Sequence, residues 1–368
     1  MNPLKSPGDQ IRVEMEDRGW TQRDLAKILG RPLPAVNEII QGKRVITPEM
    51  AVALAGAFGI EAAQWLHMEA AFRLAQIETR ADDVARRARL FKLAPVKDME
   101  RRNWIKKTET AEELQEELCR FYGVRSLDRE PELAGSFRKT AADEPMNAAQ
   151  RAWCFRAKFL AQSVHVAPYS DTSFDRGIKK LRRIAGWPEE TIKVSRVLAE
   201  MGIRFVVAEP LPHTKIDGVA FWLDDASPVI ALSIRYDRID SFWHMLGHEL
   251  SHIKHRDEPV VDTDIVGESR PSPAEQNPIE RRADSEAAAM WVDANEMESF
   301  ILRVGPLYSR SRVNQFANRL VVHPGIIVGQ LQHRGEIGYQ VLRDTLVKVR
   351  EVVTAEALTD GWGHLIGC

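Results

Sequence analysis

The chain has 368 residues, of which 44% are hydrophobic and 28% charged, and its formal net charge at pH 7 is −2. This length exceeds what one small core needs and predicts two or three domains, and the composition is typical of a folded globular protein. The near-neutral charge gives no global attraction to nucleic acid, so any DNA contact has to come from a local cluster of basic residues.

The N-terminus and the cysteines exclude several classes of protein. "MNPLKSPGDQIRVEMEDRGW" lacks a basic stretch followed by an apolar core, and no later apolar run approaches the roughly 20 residues needed to cross a bilayer. Cys119, Cys154 and Cys368 form no CxxC pair, which argues against a disulfide framework and against a thiolate zinc site. We therefore expect a cytoplasmic protein with no membrane partner.

Residues 1–78 have the pattern of five short helices. "TQRDLAKILG" begins with a capping-box-like pair, Thr21 and Asp24, and Pro34 suits the first turn of "RPLPAVNEIIQGKR". Thr47 and Pro48 begin "ITPEMAVALAGAFG" in the same way, and apolar residues recur at helical spacing in each segment. Two short helices joined by "GRPL" predict a helix-turn-helix domain, whose second helix enters the DNA major groove.

The candidate DNA contacts lie around the second of these helices. Asn37 and Gln41 carry amides that can read base edges, Arg31 can reach a base or a phosphate, and Lys43 and Arg44 suit the DNA backbone. The alternative is that the same fold serves as a protein-interaction module, because basic and acidic residues balance over this region.

Residues 79–195 are predicted to form a helical connector. Lysine and arginine outnumber acids over 80–107, which is typical of a solvated helical face, with a DNA-backbone contact as the alternative. The pattern stays helical from "ETAEELQEELCRFYG" onward, and "DEPMN" and "VAPYSDTSF" mark loops.

Residues 196–300 combine strands with helices. "IRFVVAE", "GVAFWL" and "PVIALS" are short and rich in β-branched or aromatic residues, which predicts a small three-stranded sheet. A helix is expected from Asp240, a long loop over 256–278 and a further helix in "ERRADSEAAAMW". Residues 301–368 are predicted to form a C-terminal helical lobe, in which "FANRLVVHPGIIVGQLQHRG" either packs or forms a degenerate helix-turn-helix. The expected fold class is therefore α+β, mainly α.

The stretch "DSFWHMLGHELSHIKH" has the spacing of a metal site. His248, Glu249 and His252 form H-E-x-x-H, so on a helix both imidazoles reach one cation and Glu249 lies beside it. A catalytic zinc takes three protein ligands, and Glu280 is the candidate third ligand because it begins the next helix. Asp284, four residues later, can accept a hydrogen bond from a ligand histidine. The predicted cofactor is Zn²⁺; the alternative is a surface helix with incidental histidines.

These segments carry a resemblance to a known family. "DSFWHMLGHELSHI", preceded by "MGIRFVVAE", "DGVAFWL" and "PVIALS" and followed by "IERRADSEAAAMW", resembles the ImmA/IrrE family of zinc metallopeptidases, which have a zincin-like domain. The resemblance implies that His248, His252 and Glu280 bind zinc and that Glu249 is the catalytic base.

A second resemblance lies in the N-terminal region. "LGRPLPAVNEIIQGKRVIT" is similar to the HigA-like branch of the XRE-type DNA-binding domains, which includes antitoxin repressors. This resemblance implies operator DNA as a partner and a homodimer formed through the DNA-binding domain.

Together these features predict a DNA-binding transcriptional regulator with zinc-dependent endopeptidase activity. The resemblances imply that the substrate is a repressor or antitoxin-like protein, or this chain itself, cleaved to control gene expression under stress. The alternative is a non-proteolytic repressor or antitoxin whose metallopeptidase-like domain senses or binds a partner. A zinc-dependent structural scaffold is a third class, and it would need a closed site of four ligands.

Overall fold

The computed structural model describes residues 6–75, 78–132, 138–139, 146–263, 265 and 277–366. Its contacts divide the chain into two compact units, residues 1–89 and 90–368. Each unit has hydrophobic core clusters of its own. The ranges predicted as connector, peptidase domain and C-terminal lobe fall almost entirely in the second unit.

Five helices build the core of the first unit, as the sequence predicts. They are α1 (Pro7–Arg18), α2 (Gln22–Ile28), α3 (Leu33–Ile40), α4 (Pro48–Phe58) and α5 (Ala62–Ala75). The side chains of Ser6, Thr21 and Thr47 accept backbone hydrogen bonds at the starts of α1, α2 and α4, which is how these short helices begin without fraying. The apolar faces meet in one core that includes Ile11, Leu25, Val36, Leu54 and Trp65.

A six-stranded sheet is the centre of the second unit. Its strands are β1 (Arg138–Lys139), β2 (Arg204–Ala208), β3 (Ile216–Trp222), β4 (Pro228–Leu232), β5 (Val260–Thr263) and β6 (Leu358–Asp360). They lie in the order β1-β5-β3-β4-β2-β6. β3 pairs antiparallel with β4 and with β5, and the other neighbours pair in parallel.

The sequence predicts a sheet of three strands, whereas the sheet in the structure has six. The three predicted strands are present as β2, β3 and β4, but β1, β5 and β6 add to the sheet's two sides. These added strands have only two, four and three residues, too few for an alternating pattern to stand out in the sequence. β5 also lies inside 256–278, which the sequence pattern predicts as a loop.

Helices pack against both faces of this sheet. The helices that follow α5 in the described chain are α6 (Glu78–Leu93), α7 (Val96–Arg101), α8 (Ala111–Tyr122), α9 (Ala148–Gln162), α10 (Asp171–Ile184), α11 (Val194–Met201), α12 (Ile239–His255), α13 (Pro278–Trp291), α14 (Ala294–Val304), α15 (Arg310–Leu320), α16 (Pro324–His333) and α17 (Arg350–Thr354). Two 3₁₀ helices lie at Pro188–Lys193 and Arg343–Thr345. Within the described ranges, no helix combines the length and the hydropathy needed to cross a bilayer.

The central strands separate two cores. Phe205 and Val207 of β2 face one core, and Val206 and Ala208 face the other, because successive side chains of a strand point to opposite sides. Buried residues of α7, α8 and α9 belong to the second core, whereas those of α10 to α17 belong to the first. The expected class, α+β and mainly α, is confirmed.

The C-terminal region is built into this unit. α16 begins at Pro324 as predicted, and it buries Ile327, Val328 and Leu331 in the same core as α12, which fits a packing role. β6 pairs with β2, and its buried Asp360 forms an ion pair with buried Arg156 of α9.

Candidate metal centre and nucleic-acid interface

The H-E-x-x-H motif lies in the interior of the second unit, on α12. His248 and Glu249 are fully buried and His252 is 5% exposed, which does not fit incidental histidines on a surface helix. The Nε2 atoms of His248 and His252 lie 3.0 Å apart, because residues four positions apart share one helix face. The motif therefore presents two ring nitrogens to one point.

Glu280, in the first turn of α13, lies next to this pair. Its Oε2 atom is 3.2 Å from His248 Nε2 and 3.8 Å from His252 Nε2. The residue is only 2% exposed, so water does not screen its carboxylate from the histidines. The structure thus brings together the three residues that the sequence analysis names as ligands.

Close packing of α12 against α13 makes this approach possible. At Gly247 an added Cβ would lie 2.9 Å from Trp291 Nε1 and 3.1 Å from Ala287 Cα, so a larger residue would push the helices apart. The indole N–H of Trp291 donates to the carbonyl of Trp243 at 2.7 Å, which ties the end of α13 to α12. Both contacts fix the distance between the histidine pair and Glu280.

A carboxylate orients each histidine ring. The Nδ1–H of His248 donates to Asp284 Oδ1 at 2.9 Å, and the Nδ1–H of His252 donates to Asp257 Oδ2 at 2.9 Å. With the proton on Nδ1, each Nε2 keeps its lone pair for a metal. Asp284 has the role that its spacing from Glu280 predicts, whereas no sequence pattern predicts Asp257, because that residue follows the end of α12 in a segment expected to be a loop.

β5 supplies a fourth donor that the sequence analysis misses. Asp262 is fully buried, and its Oδ2 atom lies 3.3 Å from His248 Nε2. One possible ligand atom from each of His248, His252, Asp262 and Glu280 lies within 4.8 Å of the others. No spacing rule points to Asp262, because the pairing of β5 with β3 brings it to the cluster rather than a helical repeat.

The spacing of these donors fits a zinc ion. Donors held about 2 Å from zinc at the corners of a tetrahedron lie roughly 3.3 Å from one another. The distances from His248 Nε2 to His252, Glu280 and Asp262 are 3.0, 3.2 and 3.3 Å, and His252 Nε2 lies somewhat farther, 3.8 Å, from Glu280 Oε2. In the described part of the chain, neither oxygen of buried Glu280 has a hydrogen-bond partner, a costly arrangement that a bound cation would relieve.

The electrostatics of the cluster favour positive charge. Burial lowers the pKa of His248, but the carboxylates of Asp262 and Glu280 outweigh burial and raise that pKa to about 10. Burial raises the pKa of Glu249, and the nearby Asp262 carboxylate raises it further. The shift at His248 reflects the buried negative charge of the neighbouring carboxylates, which a divalent cation would compensate.

Glu249 lies beside the histidine pair and faces β3. A Cβ built on Gly218 of β3 would lie 2.3 Å from Glu249 Oε1, so the absence of a side chain there makes room for the carboxylate. Among the residues that the structure describes, no N–H group donates a hydrogen bond to either Glu249 oxygen, and the acid Asp262 is a close neighbour. A buried carboxylate that no donor holds in place is a candidate general base.

A pocket of about 70 Å³ opens near the cluster. Its lining includes Arg238, His244, Trp291, Gln332 and His333. His244, one turn before His248, has its Nε2 atom 3.5 Å from Asp284 Oδ1, so the pocket lies next to the carboxylate that orients His248. The lining mixes apolar and polar side chains, as ligand pockets commonly do.

In the first unit, α2 and α3 form the predicted helix-turn-helix. Arg31, Gln41, Lys43 and Arg44 are exposed, whereas Asn37 is half-buried. α3 ends at Ile40, so Gln41, Lys43 and Arg44 lie at its C-terminal end and beyond, while Arg31 precedes its start. Arg44 Nη1 lies 3.4 Å from the carboxylate of Glu38, which competes with phosphate for that guanidinium.

Comparison with known proteins agrees with this geometry. A helix-turn-helix family model matches residues 11–65, the range that contains α2 and α3. YddM, an HTH-type transcriptional regulator of Escherichia coli (strain K12), is 31% identical over 84 residues, which are 23% of this chain and 88% of YddM. The chain belongs to the helix-turn-helix family.

Two other relatives resemble this helix-turn-helix protein over a similar length. Virulence-associated protein I of Dichelobacter nodosus is 35% identical over 77 residues, 21% of this chain and 71% of the relative. Virulence-associated protein A of the same organism is 34% identical over 79 residues, 21% of this chain and 78% of the relative. These similarities cover about a fifth of the helix-turn-helix protein, so arguments about the metal cluster rest on its own geometry.

Proposed function

We propose that this chain is a DNA-binding transcriptional regulator whose second unit is a zinc-dependent endopeptidase. The first part is supported by the helix-turn-helix match and by the similarity to YddM, a transcriptional regulator by name. The second part rests on one observation: His248, His252 and Glu280 converge within 3.0 to 3.8 Å, and buried Glu249 stands beside them.

In the proposed hydrolysis, the residues of the cluster have different roles. His248, His252 and Glu280 would hold the ion, and Asp284 and Asp257 hold the two rings in the orientation described above. When bound, zinc acidifies a water ligand and polarises the carbonyl that is attacked.

Glu249 moves the proton. One of its carboxylate oxygens accepts a proton from the attacking water and delivers it to the amine that leaves when the peptide C–N bond breaks. Burial and the neighbouring Asp262 raise the pKa of Glu249, and a carboxylate with a raised pKa is a stronger base toward the proton of the water.

The resemblance to the ImmA/IrrE metallopeptidases supports a protein substrate. The substrate class that we propose is a repressor or antitoxin-like protein, or this chain itself, cleaved to change gene expression under stress. Operator DNA is the partner of the first unit, and a homodimer formed through that unit would bind a palindromic site.

The variant Glu249→Gln tests the peptidase. It keeps the size of the side chain but removes the base, so we expect unchanged zinc content and DNA affinity and at least a roughly 100-fold slower cleavage. The substrates are the purified products of neighbouring genes, and fragments are identified by mass spectrometry. Glu286→Gln is the matched control, because Glu286 lies on α13 but pairs with His255 and Ser251 outside the cluster.

A non-proteolytic regulator is the second candidate, and Asp262 favours it. Four protein ligands close a zinc site, and closed sites are structural rather than catalytic. Identical fragment patterns from the wild type and Glu249→Gln, with the true partner present, would support this candidate.

A further inference from the structure

β5 occupies a position in the sheet that is suited to an extended peptide. It pairs antiparallel with β3, with Asp262 opposite Gly218 and Val261 opposite Val219. Gly218 is also the residue that leaves room for Glu249. Without β5, the backbone of β3 would be an unpaired edge beside the candidate base. Peptides commonly bind proteins by adding a strand to such an edge.

The same strand carries the fourth donor of the cluster. A catalytic zinc has three protein ligands and leaves one position to water. Asp262 Oδ2 lies 3.3 Å from His248 Nε2, at the spacing that a fourth tetrahedral ligand would have. With this carboxylate coordinated, the ion would have no position for the reacting water.

A permanently closed structural site does not account for Glu249. Its side chain is fully buried, and among the described residues no N–H group donates a hydrogen bond to either of its oxygens. Burying a carboxyl group without such a donor is costly, and a structural zinc site needs no fifth acidic group. A function for Glu249 would account for this energetic cost. It would have one in an open form of the site, in which Asp262 has left the ion and Glu249 contacts a water molecule.

We propose that β5 is an internal inhibitor of the metal centre. The Asp262 carboxylate fills the coordination position that hydrolysis requires, and Val260–Thr263 fills the β3 edge that an extended substrate requires. This inference rests on the proposed peptidase function and adds that the peptidase is latent as folded. Since β5 has four residues, a short substrate segment is long enough to take its place beside β3. β5 would then move away from β3 together with its other neighbour, the two-residue strand β1, and Asp262 would leave the ion in the same step.

Binding of a small zinc ligand tests the proposal without any cleavage assay. Acetohydroxamic acid is the probe, since it coordinates zinc only where protein ligands leave a free position. It is titrated calorimetrically into the zinc-loaded full chain after the zinc content of each variant is measured. We expect Asp262→Ala to bind the probe at least tenfold more tightly than the wild type. Thr263→Ala, on the same strand but outside the donor group, should bind it as the wild type does.

Asp262→Asn guards against misfolding of the alanine variant. It keeps the size of the side chain but offers a weaker, neutral oxygen, so it should also bind the probe more tightly than the wild type. Equal affinity of the wild type and both Asp262 variants for acetohydroxamic acid overturns the proposal.

The two proposals fail in different ways. If the wild type cleaves its partner and binds the probe as tightly as Asp262→Ala, the peptidase stands and the internal inhibitor falls. If the Asp262 variants bind the probe tightly but neither they nor the wild type cleave any partner, Asp262 closes the site and the peptidase function falls.

Discussion

Replacing Gly218 with alanine should weaken both the fold and the candidate active site. The added Cβ would lie 2.3 Å from Glu249 Oε1 and 2.9 Å from Leu232 Cδ2, distances at which one neighbour has to move. Glu249 cannot swing into solvent, because it is fully buried on the central helix α12. Overpacking of this kind costs about 1–3 kcal/mol of the free energy of unfolding. It also displaces the carboxylate from the histidine pair, so we expect slower cleavage with zinc still bound.

Urea unfolding followed by tryptophan fluorescence measures the first effect, and zinc content and cleavage rate measure the second. Gly56→Ala is the control, because Gly56 lies in α4, where an added Cβ meets nothing within 4 Å. That variant should gain about 0.5–1 kcal/mol from the higher helix propensity of alanine. If Gly218→Ala unfolds at the wild-type urea concentration and cleaves at the wild-type rate, the placement of Glu249 against β3 is wrong.

Three further predictions concern the stabilisation by zinc, the contact of Arg44 with DNA, and the ion pair between Arg156 and Asp360. Removing zinc with a chelator should lower the melting temperature of the second unit by about 5–10 °C, since zinc at 100 times its Kd contributes about 2.7 kcal/mol. His252→Ala should melt at one temperature with or without chelator. Arg44→Ala should reduce the slope of log K against log salt for operator binding by about one phosphate contact, and an unchanged slope in a filter-binding assay would count against a role for Arg44. Asp360→Ala leaves the buried Arg156 guanidinium without its carboxylate and should cost about 3–5 kcal/mol in urea unfolding, whereas a loss below about 1 kcal/mol would contradict the ion pair.

The parts of the site that follow from helical spacing could be predicted from the sequence. His248 and His252 stand four residues apart, as do Glu280 and Asp284, so one turn of helix places each pair on one face. That arithmetic needs no knowledge of the rest of the fold.

The parts that depend on strand pairing could not be predicted. Asp262 reaches the cluster because β5 pairs with β3, and four residues with two adjacent valines give no periodic signal in a segment rich in acidic residues, proline and serine. The role of Asp257 could not be predicted either. It depends on Arg256, which has a φ of 53°, in the left-handed region, and no neighbouring residue signals that conformation. β6 pairs with a strand that lies about 150 positions earlier in the chain, beyond the reach of local patterns.

Because β6 belongs to the central sheet, the second unit can complete its fold only after residues 358–360 have been synthesised. The Asp360 carboxylate accepts from the Trp104 indole, 256 positions earlier, and from the Arg156 guanidinium, 204 positions earlier. Until Asp360 has left the ribosome, the Trp104 indole and the Arg156 guanidinium, which are synthesised earlier, lack the acceptor that they have in the folded protein. The first unit has a core made only of residues near the start of the chain. A ribosome that stops early would therefore release a helix-turn-helix domain able to form its core, attached to a second unit that cannot complete its sheet.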